Sequence, residues 1–345
     1  MITLSDYGYN ILQIETYGLC NMACGFCPYP LKKDFEKKSK LEDETIKKVI
    51  DEINPKDKDF KYITFSQFNE PLLDKRIFDY IKYAKDRKLE VYFITNGLLL
   101  DKEDTIKKLI ELNPIIKVSL QILDNSKHKL GRGLNMELEK YLEKIIKFLR
   151  KIENSDLKVT LDVGSNFNSS KLKFFFKKIL GLQVGDPNLP DTLKSTLYLL
   201  SQHFHKLSKK DNLQEELIGK DQFIDNNYLK QDGIKISKNV QIKIKPFGYG
   251  YKIKDFHPIN DNFSCETKIL AVQSSGSVVP CCLAYDDSIS LGSVTDNSLE
   301  DILKENSFLS NLRKKGGKKH ITCKKCYGEP TKRGAFVRNF LNAMR

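Results

Sequence analysis

Through the first half of the chain, short apolar runs of strand character alternate with amphipathic stretches of helical spacing. That alternation restricts the fold more than any other feature. "NILQIET" (10–16) reads as a strand and "LEDETIKKVIDEI" (41–53) as a helix with acids in its first turn, as the helix dipole favours. "FKYITFSQ" (60–67) and "EVYFITNG" (90–97) are strands on either side of a helix over 74–88. A helix over 101–112 leads to Pro114 and the strand "IIKVSLQ" (115–121); a longer helix over 137–152 precedes the strand "LKVTLDVG" (157–164), with a further helix near 169–180. Strands separated by helices are joined by crossovers and so run parallel, in either an open doubly wound sheet or a full or partial barrel.

The rhythm breaks over 183–238, a polar segment with one helix expected around 192–207, which reads as an insertion or lid. "VQIKIKPFG" (240–248) returns as a sixth strand. After it the style changes. "ILAVQSSGSVVPCC" (269–282) has the pattern of a β-hairpin turning at Ser-Ser-Gly, and "SLEDILKENSFLSNLRKK" (298–315) that of a capped helix, followed by "CKKC". The expected organisation is a large α/β domain over 1–250 and a smaller unit over 251–345 with its own cysteines.

Residues 20–27 read "CNMACGFC": three cysteines within eight residues, in the loop after the first strand. A structural zinc site takes four ligands and a disulfide framework an even number, so three is either a fragment of a zinc site, a chance cluster, or a set that leaves one metal position open. A [4Fe–4S] cluster held by three thiolates has one iron open to an exchangeable ligand. Barrel enzymes place their chemistry in such loops, at the C-terminal ends of the strands.

Cys20, Cys24 and Cys27 form a CxxxCxxC, with Phe26 as the aromatic before the third cysteine, and here the sequence resembles the radical S-adenosylmethionine superfamily. The resemblance implies a partial barrel of six strand–helix units and a [4Fe–4S] cluster whose open iron is chelated by S-adenosylmethionine. It also implies reductive cleavage to a 5′-deoxyadenosyl radical that abstracts hydrogen from substrate. "FSQFNEPL" (65–72) lies where the family has a Gly-Gly-Glu-Pro-like motif: Glu70 and Pro71 match its end, while Phe68 and Asn69 replace the glycines. By resemblance Glu70 contacts the methionyl amine; the alternative is a capping acid. Thr95 and Asn96 after the third strand, Ser119 and Gln121 after the fourth, and Asp162 at the fifth are further candidates for S-adenosylmethionine or substrate contacts.

The later cysteines resemble the SPASM and Twitch extensions carried by part of that superfamily. Cys265 precedes the hairpin, Gly276 stands five residues before Cys281, and Cys323 and Cys326 follow the helix. No cysteine comes after Cys326, so the set implied is four thiolates for one auxiliary [4Fe–4S] cluster, the Twitch case. A four-cysteine zinc site uses the same spacing. Cys282, the eighth cysteine, is a small residue beside a ligand, or else a hydrogen-atom donor or a swapped ligand. His257 and Lys245 are candidate acid–base groups near the site mouth, with Lys243 and Tyr249 beside the sixth strand; structural roles stand against each.

The net charge of +13 is concentrated at the end: residues 313–345 hold eleven Lys or Arg against one acid, Glu329. No nucleic-acid-binding motif accompanies it, so a nucleic-acid role is not favoured, and a solvated basic surface is the plain reading. The tail "TKRGAFVRNFLNAMR" (331–345) has Phe336, Val337, Phe340 and Leu341 at helical spacing and is expected to pack back onto the protein. The start lacks a signal-peptide pattern and no apolar run is long enough to span a membrane, so a cytoplasmic location is expected.

Together these features lead to an oxidoreductase that dehydrogenates an alcohol on a sugar-like or cyclitol-like molecule, with the auxiliary cluster taking the second electron. A flavodoxin or ferredoxin would supply the first. A peptide-modifying maturase is the alternative, weakened because only 19 residues precede Cys20 and leave no room for a peptide-binding domain. A non-catalytic iron–sulfur or zinc protein docking an acidic partner is the alternative of another class.

Overall fold

The computed structural model describes residues 1–120, 133–165, 234–246, 257–258, 268–305 and 323–343, apart from short gaps at 25–26, 33–36, 134, 236, 283, 285–288, 324–325, 327 and 330. Its elements are β1 (Ile11–Ile14), α1 (Asp43–Asp51), β2 (Tyr62–Thr64), α2 (Ile77–Asp86), β3 (Tyr92–Thr95), α3 (Glu103–Leu112), β4 (Ile115–Ser119), α4 (Leu138–Lys151), β5 (Val159–Ser165), β6 (Ile234–Lys235), β7 (Val240–Pro246), β8 (Ile269–Val272), β9 (Ser277–Val279), β10 (Gly292–Ser293), α5 (Leu299–Lys304) and α6 (Lys332–Ala343). The expected helices near 169–180 and 192–207 lie outside the described residues.

Each helix forms for a local reason. α4 buries Leu138, Tyr141, Leu142, Ile145, Ile146, Phe148 and Leu149, a stripe of helical period. α3 stops at Asn113, which takes the left-handed conformation and is followed by Pro114. α5 is capped by Ser298, whose side chain accepts from the amide of Asp301.

The strands form two sheets, ordered β10-β9-β8-β1-β2 and β3-β4-β5-β7-β6. The pairs β1–β2, β1–β8, β4–β5 and β5–β7 are parallel, as the crossover argument requires. Short β6 pairs antiparallel with β7 from within the segment expected to be an insertion. Chain contacts define two compact units: residues 1–93 with 175–184 and 249–345, and residues 94–174 with 185–248.

In the first unit, Ile11 to Ile14 match Ile269 to Val272 one for one, so the C-terminal hairpin is part of the sheet that β1 begins. Residues in register on parallel strands share a face. Leu12, Ile14, Ile63, Leu270 and Val272 make one face apolar and fully buried. Gln13, Thr64 and Ala271 share the other, so this sheet departs from the near-continuous apolar character of strands buried on both sides.

The tail is helical, as its spacing predicts, but Phe336 and Phe340 do not pack back: they are 72% and 58% exposed. The face turned inward carries Gly334 and Ala335, and Arg338 pairs with the buried Glu329 at 2.9 Å. Two aromatics four residues apart share the opposite side of the turn.

Candidate cluster-binding site

Cys20, Cys24 and Cys27 lie in the loop between β1 and α1, each half-buried and without a disulfide partner. The amide of Cys27 donates to the carbonyl of Cys24 at 2.9 Å, which curls the loop, and the amide of Tyr29 donates to the Cys27 Sγ at 3.4 Å. Met22 and Tyr29 bury their side chains beneath it. Burial pushes the Cys20 thiol up to about 12, and the Glu70 carboxylate adds to the rise. Burial likewise pushes Cys27 to about 12, against the opposing effect of the Tyr29 amide. Clustered thiols of this kind stay protonated near neutrality until a shared cation compensates their charge.

Among the described residues no three His, Cys, Asp or Glu converge as ligands of a single metal ion. Thiolates on separate irons of one cluster need not converge on a point, so this donor set of three soft ligands fits an iron–sulfur cluster. Phe26 lies outside the described residues.

Glu70 is 2% exposed and caps the short 3-10 turn Pro71–Leu73, its Oε1 accepting from the amide of Leu72 at 3.2 Å. Pro71 opens that turn, where its missing N–H costs nothing. The two residues that replace the family's glycines are accommodated without left-handed backbone. Asn69 Oδ1 accepts from the amide of Gln67 at 2.9 Å, its Nδ2 donates to the carbonyl of Phe65 at 3.3 Å, and Phe68 is buried. The Glu70 carboxylate thus caps a turn and lies close enough to Cys20 to act on its thiol.

The remaining strand-end candidates belong to the second unit. Thr95 and Asn96 build the turn after β3: Thr95 Oγ1 accepts from the amide of Gly97 at 3.1 Å and Asn96 Oδ1 from that of Leu98 at 3.0 Å. Gly97 has φ +85°, and a Cβ there would stand 2.4 Å from Ile145 Cδ1. Ser119 stands in register with Asp162, which is 4% exposed and ion-paired with Lys117 at 2.5 Å. Lys117 was missed at the level of sequence, although a lysine within "IIKVSLQ" is the visible sign. Lys245 lies on β7 opposite Gly164; Gln121 is outside the described residues.

At the C-terminal cysteines, Gly276 makes the hairpin turn with φ +90°, its amide donating to the carbonyl of Gln273. β9 then leads to Cys281, which packs against Ala271, Val279 and Ala284. Cys282, Cys323 and Cys326 are half-buried and unbridged; Cys265 lies outside the described residues. His257 exchanges both backbone hydrogen bonds with Glu329, which places it in a two-stranded bridge just before α6.

The largest omission of the sequence reading is Glu15, the residue after β1, which is fully buried. Its Oε2 accepts from Lys32 Nζ at 2.6 Å, from Ser274 Oγ at 2.9 Å and from the amide of Ser274 at 3.2 Å; its Oε1 accepts from the amide of Phe68 at 3.2 Å. The Lys32 side chain is 2% exposed. The only sign in the sequence is an acid at the end of an apolar strand, five residues before Cys20.

The family model of the radical SAM superfamily matches residues 14–179, and that of the SPASM iron–sulfur cluster-binding domain matches residues 264–327. Among solved structures, Streptococcus suis SuiB bound to precursor peptide SuiA is similar at 15% identity and a TM-score of 0.51, over 90% of this chain and 69% of that one. Native anSMEcpe with bound AdoMet is similar at 17% identity and a TM-score of 0.50, over 96% and 95%. BtrN in complex with AdoMet and 2-DOIA aligns at 15% identity and a TM-score of 0.49, over 92% of both chains. For SuiB and anSMEcpe, at these identities, the likeness is one of fold. No curated protein sequence matches the chain.

Proposed function

Because the chain belongs to the radical S-adenosylmethionine superfamily and carries a SPASM-type iron–sulfur cluster-binding domain, we propose that it dehydrogenates an alcohol carbon of a sugar-like or cyclitol-like small molecule. One observation carries this reading. β8, which opens the hairpin leading to Cys281, pairs along its whole length with β1, which leads into the three-cysteine loop. A ligand of the auxiliary cluster therefore follows from the strand next to the one that feeds the catalytic cysteines, within one compact unit.

When bound, a [4Fe–4S] cluster with S-adenosylmethionine would supply the means of hydrogen-atom abstraction, and an auxiliary cluster would supply a one-electron acceptor. Cys20, Cys24 and Cys27 would hold the first cluster, and Cys265, Cys281, Cys323 and Cys326 the second. Glu70 binds the methionyl amine. His257 would take the hydroxyl proton, so that alcohol becomes ketone by loss of one hydrogen atom, one proton and one electron. Two buried acceptors suit hydroxyl groups: the Oε1 atoms of Gln13 on β1 and of Gln67 in the loop after β2 have no hydrogen-bond partner among the described residues. A flavodoxin or ferredoxin supplies the electron that starts the reaction. Among the described residues no helix is long and apolar enough to cross a membrane.

The test is anaerobic turnover of the reconstituted protein with S-adenosylmethionine, a reductant and a panel of sugars and cyclitols, followed by mass spectrometry. The expected product has lost two hydrogens and appears with one 5′-deoxyadenosine. Modification of a peptide, with no sugar or cyclitol oxidised, would replace this reading with the maturase one.

A further inference from the structure

Glu15 stands outside the cysteine motifs and the acid–proline turn, yet it touches what carries each of them. Lys32 ends the short 3-10 turn Tyr29–Leu31, which begins two residues after Cys27. Phe68 lies two residues before Glu70 in the loop after β2. Ser274 sits in the turn of the hairpin whose second strand leads to Cys281, and its hydroxyl also meets Ser39 Oγ at 2.7 Å. Three segments, the farthest 259 residues from Glu15 along the chain, converge on one carboxylate. The Glu15 amide meanwhile donates to the carbonyl of Val272 at 2.8 Å and extends the β1–β8 ladder by one step.

The chemistry of the group explains why an ionic pair stands here rather than apolar packing. A buried ion pair is a poor source of stability, since desolvation offsets the attraction, and its best-attested use is to hold one arrangement against others. A carboxylate offers about four lone-pair positions in fixed directions, and all four donors present are used. Apolar residues would bury similar area while leaving the three segments free to slide relative to one another.

We propose that Glu15 is a positioning residue for the radical reaction, setting the catalytic-cluster loop, the Glu70 turn and the auxiliary-cluster hairpin in one register. The inference rests on both cysteine sets holding clusters and not on which substrate is oxidised.

The experiment uses the full chain, reconstituted anaerobically, as wild type, Glu15→Gln and Ser274→Ala. It reads iron content, the intercluster distance distribution by pulsed dipolar spectroscopy of the reduced protein, and the change that S-adenosylmethionine produces in the catalytic-cluster spectrum. Glu15→Gln is expected to load both clusters, to broaden the distance distribution, and to slow substrate-free 5′-deoxyadenosine formation by roughly 100-fold, as a displacement of about 1 Å would. Ser274→Ala removes the hydroxyl bond to Glu15 and keeps the amide bond, and is expected to broaden the distance while leaving the response to S-adenosylmethionine intact. Should Glu15→Gln fail to fold, Ser274→Ala decides: a broadened distance upholds the proposal and an unchanged one overturns it. A Glu15→Gln protein that loads both clusters with an unchanged distance and an unchanged response would show a residue concerned with stability alone. No readout needs the substrate, so failure here is separable from failure of the dehydrogenase reading.

Discussion

The backbone amide of Glu70 donates to the carbonyl of Leu19 over 2.9 Å, tying the acid–proline turn to the residue before Cys20. The tie runs through main chain, so a change of the Glu70 side chain leaves it in place. Glu70→Gln keeps the cap acceptor and removes only the charge. It is expected to load iron fully and melt within a degree or two of wild type, while 5′-deoxyadenosine formation falls at least tenfold. Glu70→Ala loses the cap as well, at a cost of about 1 kcal/mol. Wild-type cleavage by Glu70→Gln would reduce Glu70 to a capping acid.

The buried thiols make the metal-free protein sensitive to alkali. Cys20 and Cys27 ionise at about 12 in the folded state, above an ordinary thiol. Between those values the unfolded chain has released protons that the folded chain retains, so stability is full below the ordinary thiol range and falls as pH rises through it. Denaturant titrations of the apo-protein between pH 7 and 10 should show the midpoint falling, and a Cys20→Ala/Cys27→Ala variant should flatten that slope.

Gly97 meets two demands at once, positive φ and contact with α4. Gly97→Ala places a Cβ 2.4 Å from Ile145 Cδ1 and 3.1 Å from Val118 Cγ1. A loss of about 2–4 kcal/mol is expected. Adding Ile145→Val should recover the steric part and leave the backbone part, which thermal melts of the two variants would separate.

Lys117 and Asp162 form a largely buried pair on adjacent strands. Lys117→Met alone leaves a buried carboxylate uncompensated and should cost roughly 3–5 kcal/mol, whereas Lys117→Met with Asp162→Leu should cost much less. A double-mutant cycle by chemical denaturation checks the coupling. Additive losses would mean that the pair contributes nothing as a pair.

Iron content separates the two cysteine sets. The reconstituted chain should carry about eight irons, falling to about four when Cys20, Cys24 and Cys27 are all changed to Ala, and likewise for Cys281→Ala. Cys282→Ala should keep all of it. About four irons falling to none in the triple variant would leave zinc or free thiols at the C-terminal set.

What could be read from the sequence was local in origin. The strands and helices around the cysteine loop follow from apolar period, Asn113 and Pro114 end a helix where their backbone preferences require, and Gly276 turns a hairpin because only glycine adopts its φ freely. The three-cysteine spacing needed no tertiary knowledge to be noticed. The Lys117–Asp162 pair was half legible, as a charge out of place in an apolar strand.

Other features were decided only when distant segments met. That β8 would pair with β1, 258 residues away in the register Ile11 to Ile269, is not written in either strand, since an apolar run carries no address for its neighbour. The exposure of Phe336 and Phe340 depends on which side of α6 finds something to pack against, and Gly334 and Ala335 took that side. Glu15 looks in sequence like an acid at a strand end. It becomes a junction because Lys32, Phe68 and Ser274 bring four donors to it, and a buried carboxylate is tolerated only where such donors arrive together. Periodicity and turn chemistry act within a few residues, while the satisfaction of a buried charge depends on the whole fold.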